Sequence, residues 1–332
     1  MNLLERRYRN VLRLLPASYR AGREEEMVAA YMEYAGDVPD ELSPRPRFGE
    51  IASVAGLALR VRLAGATGAP RYFAWGETVR MTALFGLAFH AMLGVTGVIA
   101  ALMLEPPVDG VPTMAERLAD LGNTLAGVLW LVSFAALARG AAPPAKIAGG
   151  AAALWSLAER GTQIATWGTA LEWDGPFLLL ILVPALALLA GFHRDAPPPR
   201  RSWWVALGAP VLAGSVPILV NLGIWRSGDP ARFQEFMVWT DVPGLLMIAV
   251  LAAGLVCLVR RAGAPPLLAL AWYALLALLC RLPNLTHVHG EVVEPWLAGQ
   301  IQCAILAVSG LTLAVTGWRR LPVLDRLRER SG

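Results

Sequence analysis

The sequence predicts an all-α fold. It is a polytopic bundle of about eight transmembrane helices with both termini on the cytoplasmic side, preceded by a small N-terminal cytosolic helical module. Three observations predict it. Of 332 residues, 56% are hydrophobic and only 16% charged, with a mean hydropathy of +0.51, against roughly 25% charged in a water-soluble domain. From residue 81 onward, apolar runs long enough to cross a hydrocarbon core alternate with short polar loops. Those loops alternate in charge, basic then acidic, along the chain.

The head comes first, at 1–65. Leu4, Tyr8, Val11, Leu12 and Leu15 recur at helical spacing, with Arg6, Arg7, Arg9 and Arg13 mostly on other faces. Pro16 stops that helix. A second helix is expected from Arg23, because Glu24, Glu25 and Glu26 in a first turn oppose the positive end of the helix dipole. Its apolar face would be Met27, Tyr31 and Tyr34. A Pro- and Asp-rich linker, "GDVPDELSPRPR", precedes a third amphipathic stretch, "FGEIASVAGLALRVRLAG". Residues 66–80 form a juxtamembrane connector.

The bundle occupies 81–318, with spans at 81–104, 119–138, 147–170, 176–192, 203–225, 242–259, 265–282 and 296–317. A basic tail, 319–332, follows. One set of loops carries Arg139 and Lys146, then Arg194, Arg200 and Arg201, then Arg260 and Arg261, then the arginines of the tail. The other carries Glu105, Asp109, Glu116 and Asp120, then Glu172 and Asp174, then Asp229, Glu235 and Asp241, then Glu291 and Glu294. The positive-inside rule puts the first set in the cytoplasm of a bacterial inner or plasma membrane. Trp203, Trp204, Trp225, Trp239, Trp296 and Trp318 fall at span ends, as an interfacial aromatic belt requires. Pro184, Pro210 and Pro217 interrupt the fourth and fifth spans, and no internal repeat is evident beyond the hairpin rhythm.

Charge and cysteine usage exclude several classes. There are 29 basic and 25 acidic residues, and Lys146 is the only lysine. Because the arginines sit at the ends of apolar runs, topology accounts for them and nucleic-acid binding does not. Cys257, Cys280 and Cys303 lie in or beside apolar runs without CxxC spacing, so they read as packing residues rather than a disulfide framework or zinc site. No signal-peptide h-region opens the chain, and no phosphate loop, GxGxxG turn or GxSxG elbow occurs. An enzyme is not expected, and no cofactor is implied.

Three clusters remain as candidate sites. Ser156, Glu159, Gln163 and Thr166 form one stripe on the third span, with Arg160 beside it and Glu159 about 20 Å into the bilayer. Intramembrane ionisable groups are costly and face a bundle interior or a water-filled cavity, so this is a candidate polar site. Interhelical hydrogen bonding, with Arg160 snorkelling or paired locally, is the structural alternative. His90, in "GLAFHAMLGVTG", lies near Gly86, Gly94 and Gly97 on the first span and is either a helix-interface residue or part of that site. In the last outer loop, His287, His289, Glu291 and Glu294 could ligate a divalent ion, or Glu291 or Glu294 could pair with Arg281 in a solvated loop.

The stretch "YRNVLRLLPASYRAGREEEM" is an aromatic, Arg-rich helix, then "LLP", an aromatic-Arg pair and a Glu-Glu-Met helix start. It resembles the N-terminal element of a group of actinobacterial integral membrane proteins of unknown function. It is also similar to the short permease-prefix element preceding some ABC-type permease domains. The likeness covers residues 5–35 and, less specifically, "GLALRVRLAG" at 56–65. The rest departs from ABC permeases, with neither a large extracytoplasmic domain nor their cytoplasmic coupling loop. The resemblance implies a cytosolic module on a membrane body, not ATP-driven transport.

The expected function is regulatory or scaffolding, a cytosolic protein partner docking on Tyr8, Arg9, Arg13, Tyr19, Arg20, Glu25, Glu26 and Met27. The head alternatively lies on the inner membrane surface or caps the bundle. A small-molecule or lipid-related transporter using the Glu159 stripe is the second functional expectation. Membrane lipid is a partner in either case, nucleic acid in neither, and the sequence sets no oligomeric state.

Overall fold

The computed structural model describes residues 2–36, 45–63, 70–103, 113–167, 171–193, 196, 215–224, 226, 228, 230–283 and 293–322. All regular structure among them is helical. The chain divides into two compact units, one holding the three N-terminal helices and a larger one built from residue 77 onward.

In the N-terminal unit, α1 (Leu3–Leu12) starts where the Asn2 side chain accepts the Glu5 N–H at 2.8 Å. After a short turn, α2 (Ala17–Ala35) follows Pro16 at its N-cap and begins six residues before the expected start at Arg23. Glu24, Glu25 and Glu26 therefore sit two turns inside the helix, where the dipole gives them little. What places them is side-chain pairing: Arg9 meets Glu5 and Glu25, and Arg20 meets Glu24. Leu4, Tyr8, Leu12 and Leu15 bury against Val28 and Tyr31 of α2 and Val54 and Ala58 of α3 (Phe48–Arg62). Each such large side chain contributes roughly 1.5–3 kcal/mol in water. Tyr8 and Tyr31 stack at 3.9 Å. Tyr34, expected on the buried face, is 69% exposed. Arg62 ties α3 to the α1–α2 turn by donating to the Leu14 carbonyl at 2.8 Å.

The larger unit contains α4 (Pro70–Met103), α5 (Met114–Ala138), α6 (Ala142–Trp167) and α7 (Leu171–Gly191). It continues with α8 (Ser215–Ile224), α9 (Pro230–Thr240), α10 (Val242–Val259), α11 (Ala264–Arg281) and α12 (Val293–Arg319). Six of these, α4, α5, α7, α10, α11 and α12, are long and apolar enough to cross a membrane. The chain is thus a multi-pass membrane protein of all-helical fold.

The expected count was eight. The third expected span is α6, whose 26 residues reach about 39 Å. Its Lys146, Glu159 and Arg160 keep it outside the apolar class. Of the fifth, only α8 falls within the described residues. The first span begins at Pro70 rather than 81, since the charged residues before it are helical and Glu77 and Arg80 are buried as a pair.

Lipid tails are as apolar as leucine, so helices associate through close packing and hydrogen bonds rather than a hydrophobic drive. Gly94 of α4 and Gly127 of α5 meet backbone to backbone, and a Cβ on Gly94 would lie 2.6 Å from the Gly127 Cα. Gly122 accommodates the Trp155 ring, and Gly149 leaves room for Ser133, whose hydroxyl donates to the Ala145 carbonyl at 2.8 Å. Gly86 admits the Tyr273 hydroxyl, which donates to the Thr82 carbonyl at 2.8 Å and fastens α11 to α4. Replacing Gly94 with Val should cost about 1–3 kcal/mol through overpacking. Gly97→Ala, with nothing within 4 Å of its Cβ, should stay within about 0.5 kcal/mol. Thermal unfolding of the two purified variants checks this, and equal melting temperatures would contradict the crossing.

Candidate functional site

Three ion pairs lie within the bundle among the described residues. The tightest pair joins α11 to the start of α10. Asp241 is the N-cap of α10, accepting the Gly244 N–H at 2.9 Å, with Pro243 in the first turn where no N–H is needed. The same carboxylate takes a bidentate contact from Arg281, Nη1 to Oδ2 at 2.8 Å and Nη2 to Oδ1 at 2.7 Å. Arg281 also donates to the Val238 carbonyl at 2.8 Å, and Gln302 of α12 donates to that oxygen at 3.0 Å. The chain bends at Asp241, so carbonyls in the last turn of α9 lack helical partners, and these side chains supply them. The Arg281 side chain is 3% exposed. Among the described residues Arg281 thus pairs with Asp241; the expected alternatives, Glu291 and Glu294, lie outside them, apart from the helical backbone of Glu294.

A second pair joins α6 to α7. Arg160 donates to Asp174 at 3.3 Å and lies 5.2 Å from the Phe177 ring centre. This is the local-pairing alternative for Arg160, and it is looser, with the arginine side chain 32% exposed. A third pair, Glu77 with Arg80 at 3.1 Å, sits within α4 with Arg80 fully buried. Gly191 leaves room for the Arg80 stem.

The polar stripe is divided. Glu159 Oε1 accepts from Gln163 at 2.7 Å and from Asn123 of α5 at 3.2 Å, and Asn123 accepts the Trp155 indole N–H at 3.0 Å. Thr166 is exposed and donates to carbonyls of its own helix, and Ser156 is half-buried. Arg160 faces α7 instead. His90 is engaged elsewhere: its Nε2 lies 3.2 Å from the Leu180 carbonyl and its ring stacks on Trp130 at 4.6 Å. Pro184 has no N–H to give that carbonyl four residues back, so the imidazole takes its place. His287, His289 and Glu291, and the Glu294 side chain, lie outside the described residues.

The head residues also separate. Tyr8 is core and Met27 packs against that core. Arg9, Arg20 and Glu25 are engaged within the head, and the Arg9 guanidinium holds the Glu25 carboxyl below its ordinary range. Tyr19 carries the Arg23 guanidinium over its ring at 5.6 Å. Arg13 and Glu26 are exposed. Sequence reasoning had missed Glu77–Arg80 and Asp241–Arg281. The Asp-x-Pro helix start at Asp241 was the available signal for the second.

Set against protein-family models, curated proteins and solved structures, the chain matches none.

Removing Arg281 leaves the half-buried Asp241 carboxylate without its partner, which costs less than the roughly 3–5 kcal/mol of a fully buried charge. Arg281→Met should show that loss in thermal unfolding. Arg281→Lys should recover little of it, because one ammonium cannot span both carboxylate oxygens and the Val238 carbonyl. Wild-type stability in the Lys variant would contradict the bidentate account.

Proposed function

We propose that the protein is a regulatory or scaffolding protein of the bacterial cytoplasmic membrane, its N-terminal head lying on the cytoplasmic side and engaging a soluble partner. The observation that carries the reading is the head's own core: α1, α2 and α3 bury Leu4, Tyr8, Leu12, Val28, Tyr31, Val54 and Ala58 among themselves. A segment that merely coated lipid would have no need of such a core. Its outer surface keeps large groups available, with Phe48 84% and Tyr34 69% exposed and Arg47 beside the Tyr34 ring. The orientation rests on the basic turns at Arg139 and at Arg260–Arg261, under the positive-inside rule.

The internal bonding of Glu159 and His90 supports a structural role for both, and so favours the head over the membrane interior as the working part. Transport of a small molecule or lipid is the second reading, supported by the three ion pairs within the bundle.

Crosslinking the full-length protein in native membranes tests the proposal. The wild type should capture a soluble protein that a Tyr34→Ala/Phe48→Ala variant, equally stable, loses. Recovery of the same proteins from both, with the cellular phenotype unchanged by deletion of residues 2–36, would overturn it.

A further inference from the structure

We infer that the membrane body is a tandem duplication of one four-helix repeat, and that the first copy has a second bridging state, Arg160 to Asp120, which the second copy displays. Charge is scarce in this chain, and several of its charged positions recur at a spacing of 121. Asp120 corresponds to Asp241, Arg139 to Arg260, Pro144 to Pro265 and Arg160 to Arg281, and in sequence Arg80 corresponds to Arg201. One helix end keeps the spacing: α5 and α10 end at Ala138 and Val259.

The two hairpin turns agree bond for bond. Gly140 donates to Leu137 and Ala141 to Ala136, both at 2.9 Å. At the matching positions Arg261 donates to Leu258 at 3.1 Å and Ala262 to Cys257 at 2.8 Å. Gly140 has φ +79° and Arg261 φ +50°. A left-handed arginine costs roughly 1–2 kcal/mol, so the second copy keeps the turn at a residue ill-suited to it. The bonds are a common helix ending; what common descent accounts for is the arginine kept at its left-handed position. Four helices return the chain to the same side, so the copies are parallel repeats related by an axis along the membrane normal.

The copies differ at the acidic position and at its partner: Asp241 caps α10 and Arg281 ends α11, whereas Asp120 lies inside α5 and Arg160 inside α6. In the second, Arg281 at the end of α11 bridges to Asp241 at the start of α10, tying the hairpin to itself. The matching bridge in the first would join Arg160 of α6 to Asp120 of α5. Instead Arg160 donates to Asp174 of α7 at 3.3 Å and lies against the Phe177 ring, a looser contact than the bidentate one of Arg281. Asp120 is exposed, and its carboxylate accepts no bond among the described residues. Asn123, one turn along α5 from Asp120, meets Glu159, the neighbour of Arg160, so the two lie on facing stretches of α5 and α6. Position 295, the counterpart of Asp174, is Pro295, which offers no carboxylate. Arg160 is therefore a switch between α7 and α5, and moving it frees the α5–α6 hairpin from α7.

Thermal unfolding of the full-length protein tests this with Asp→Asn variants. Asp241→Asn should lower the melting temperature most, by about 5 °C or more. Asp174→Asn should lower it less, because Asp120 takes over, and adding Asp120→Asn should bring the loss to the Asp241→Asn level. If the double variant does not fold, Arg160→Asp/Asp120→Arg is placed in the Asp174→Asn background. Recovery of the melting temperature to that of Asp174→Asn alone supports the bridge. No further loss from Asp120→Asn beside Asp174→Asn, or no folding of the swapped pair, overturns it.

Discussion

Hydrocarbon offers no hydrogen-bond partner to a backbone N–H, a carbonyl or a charge, and each one left unsatisfied costs several kcal/mol. Almost every feature of the bundle answers that constraint. The backbone is helical, so most of its groups are satisfied locally. Where helicity fails, a side chain from another helix intervenes: His90 at the Leu180 carbonyl that Pro184 leaves open, and Arg281 with Gln302 at the Val238 carbonyl where α9 ends. Three ion pairs lie inside the body among the described residues, and the carboxylate of Asp241 serves as helix cap and counter-ion together.

The head obeys different physics. It has a core of its own, of the kind the hydrophobic effect drives, stacking Tyr8 on Tyr31 and burying leucines from α1 against two other helices. Its arginines pair with glutamates on the surface, where such pairs contribute little and chiefly set register. One chain thus holds a water-driven core and a lipid-driven bundle, and the division falls where the composition changes.

That change is why the overall plan was legible. Apolar runs located α5, α7, α10, α11 and α12 closely, because a span's length is set by the bilayer and not by its neighbours. The start of α4 was not legible: Glu77 and Arg80 count as two charges in sequence and cancel only once folded. Helix α2 was misjudged because its glutamates answer arginines on α1 rather than its own dipole. Partners forty or ninety residues apart, such as Asp241 with Arg281 and Leu180 with His90, depend on how each helix is rotated, which periodicity in so uniformly apolar a segment does not report. The repeat was hidden by the sameness of alanine and leucine, and only the rare charged residues and the left-handed turn residue reveal it.

The central proposal is a parallel-repeat bundle whose two basic turns lie on the same side of the membrane. Single cysteines at Gly140, Arg261 and Thr113, labelled with a membrane-impermeant maleimide in intact cells and in inverted vesicles, test it most directly, since the native cysteines are buried. The account predicts labelling at 140 and 261 only in inverted vesicles, and at 113 only in intact cells. Labelling of 140 and 261 from opposite sides would contradict it.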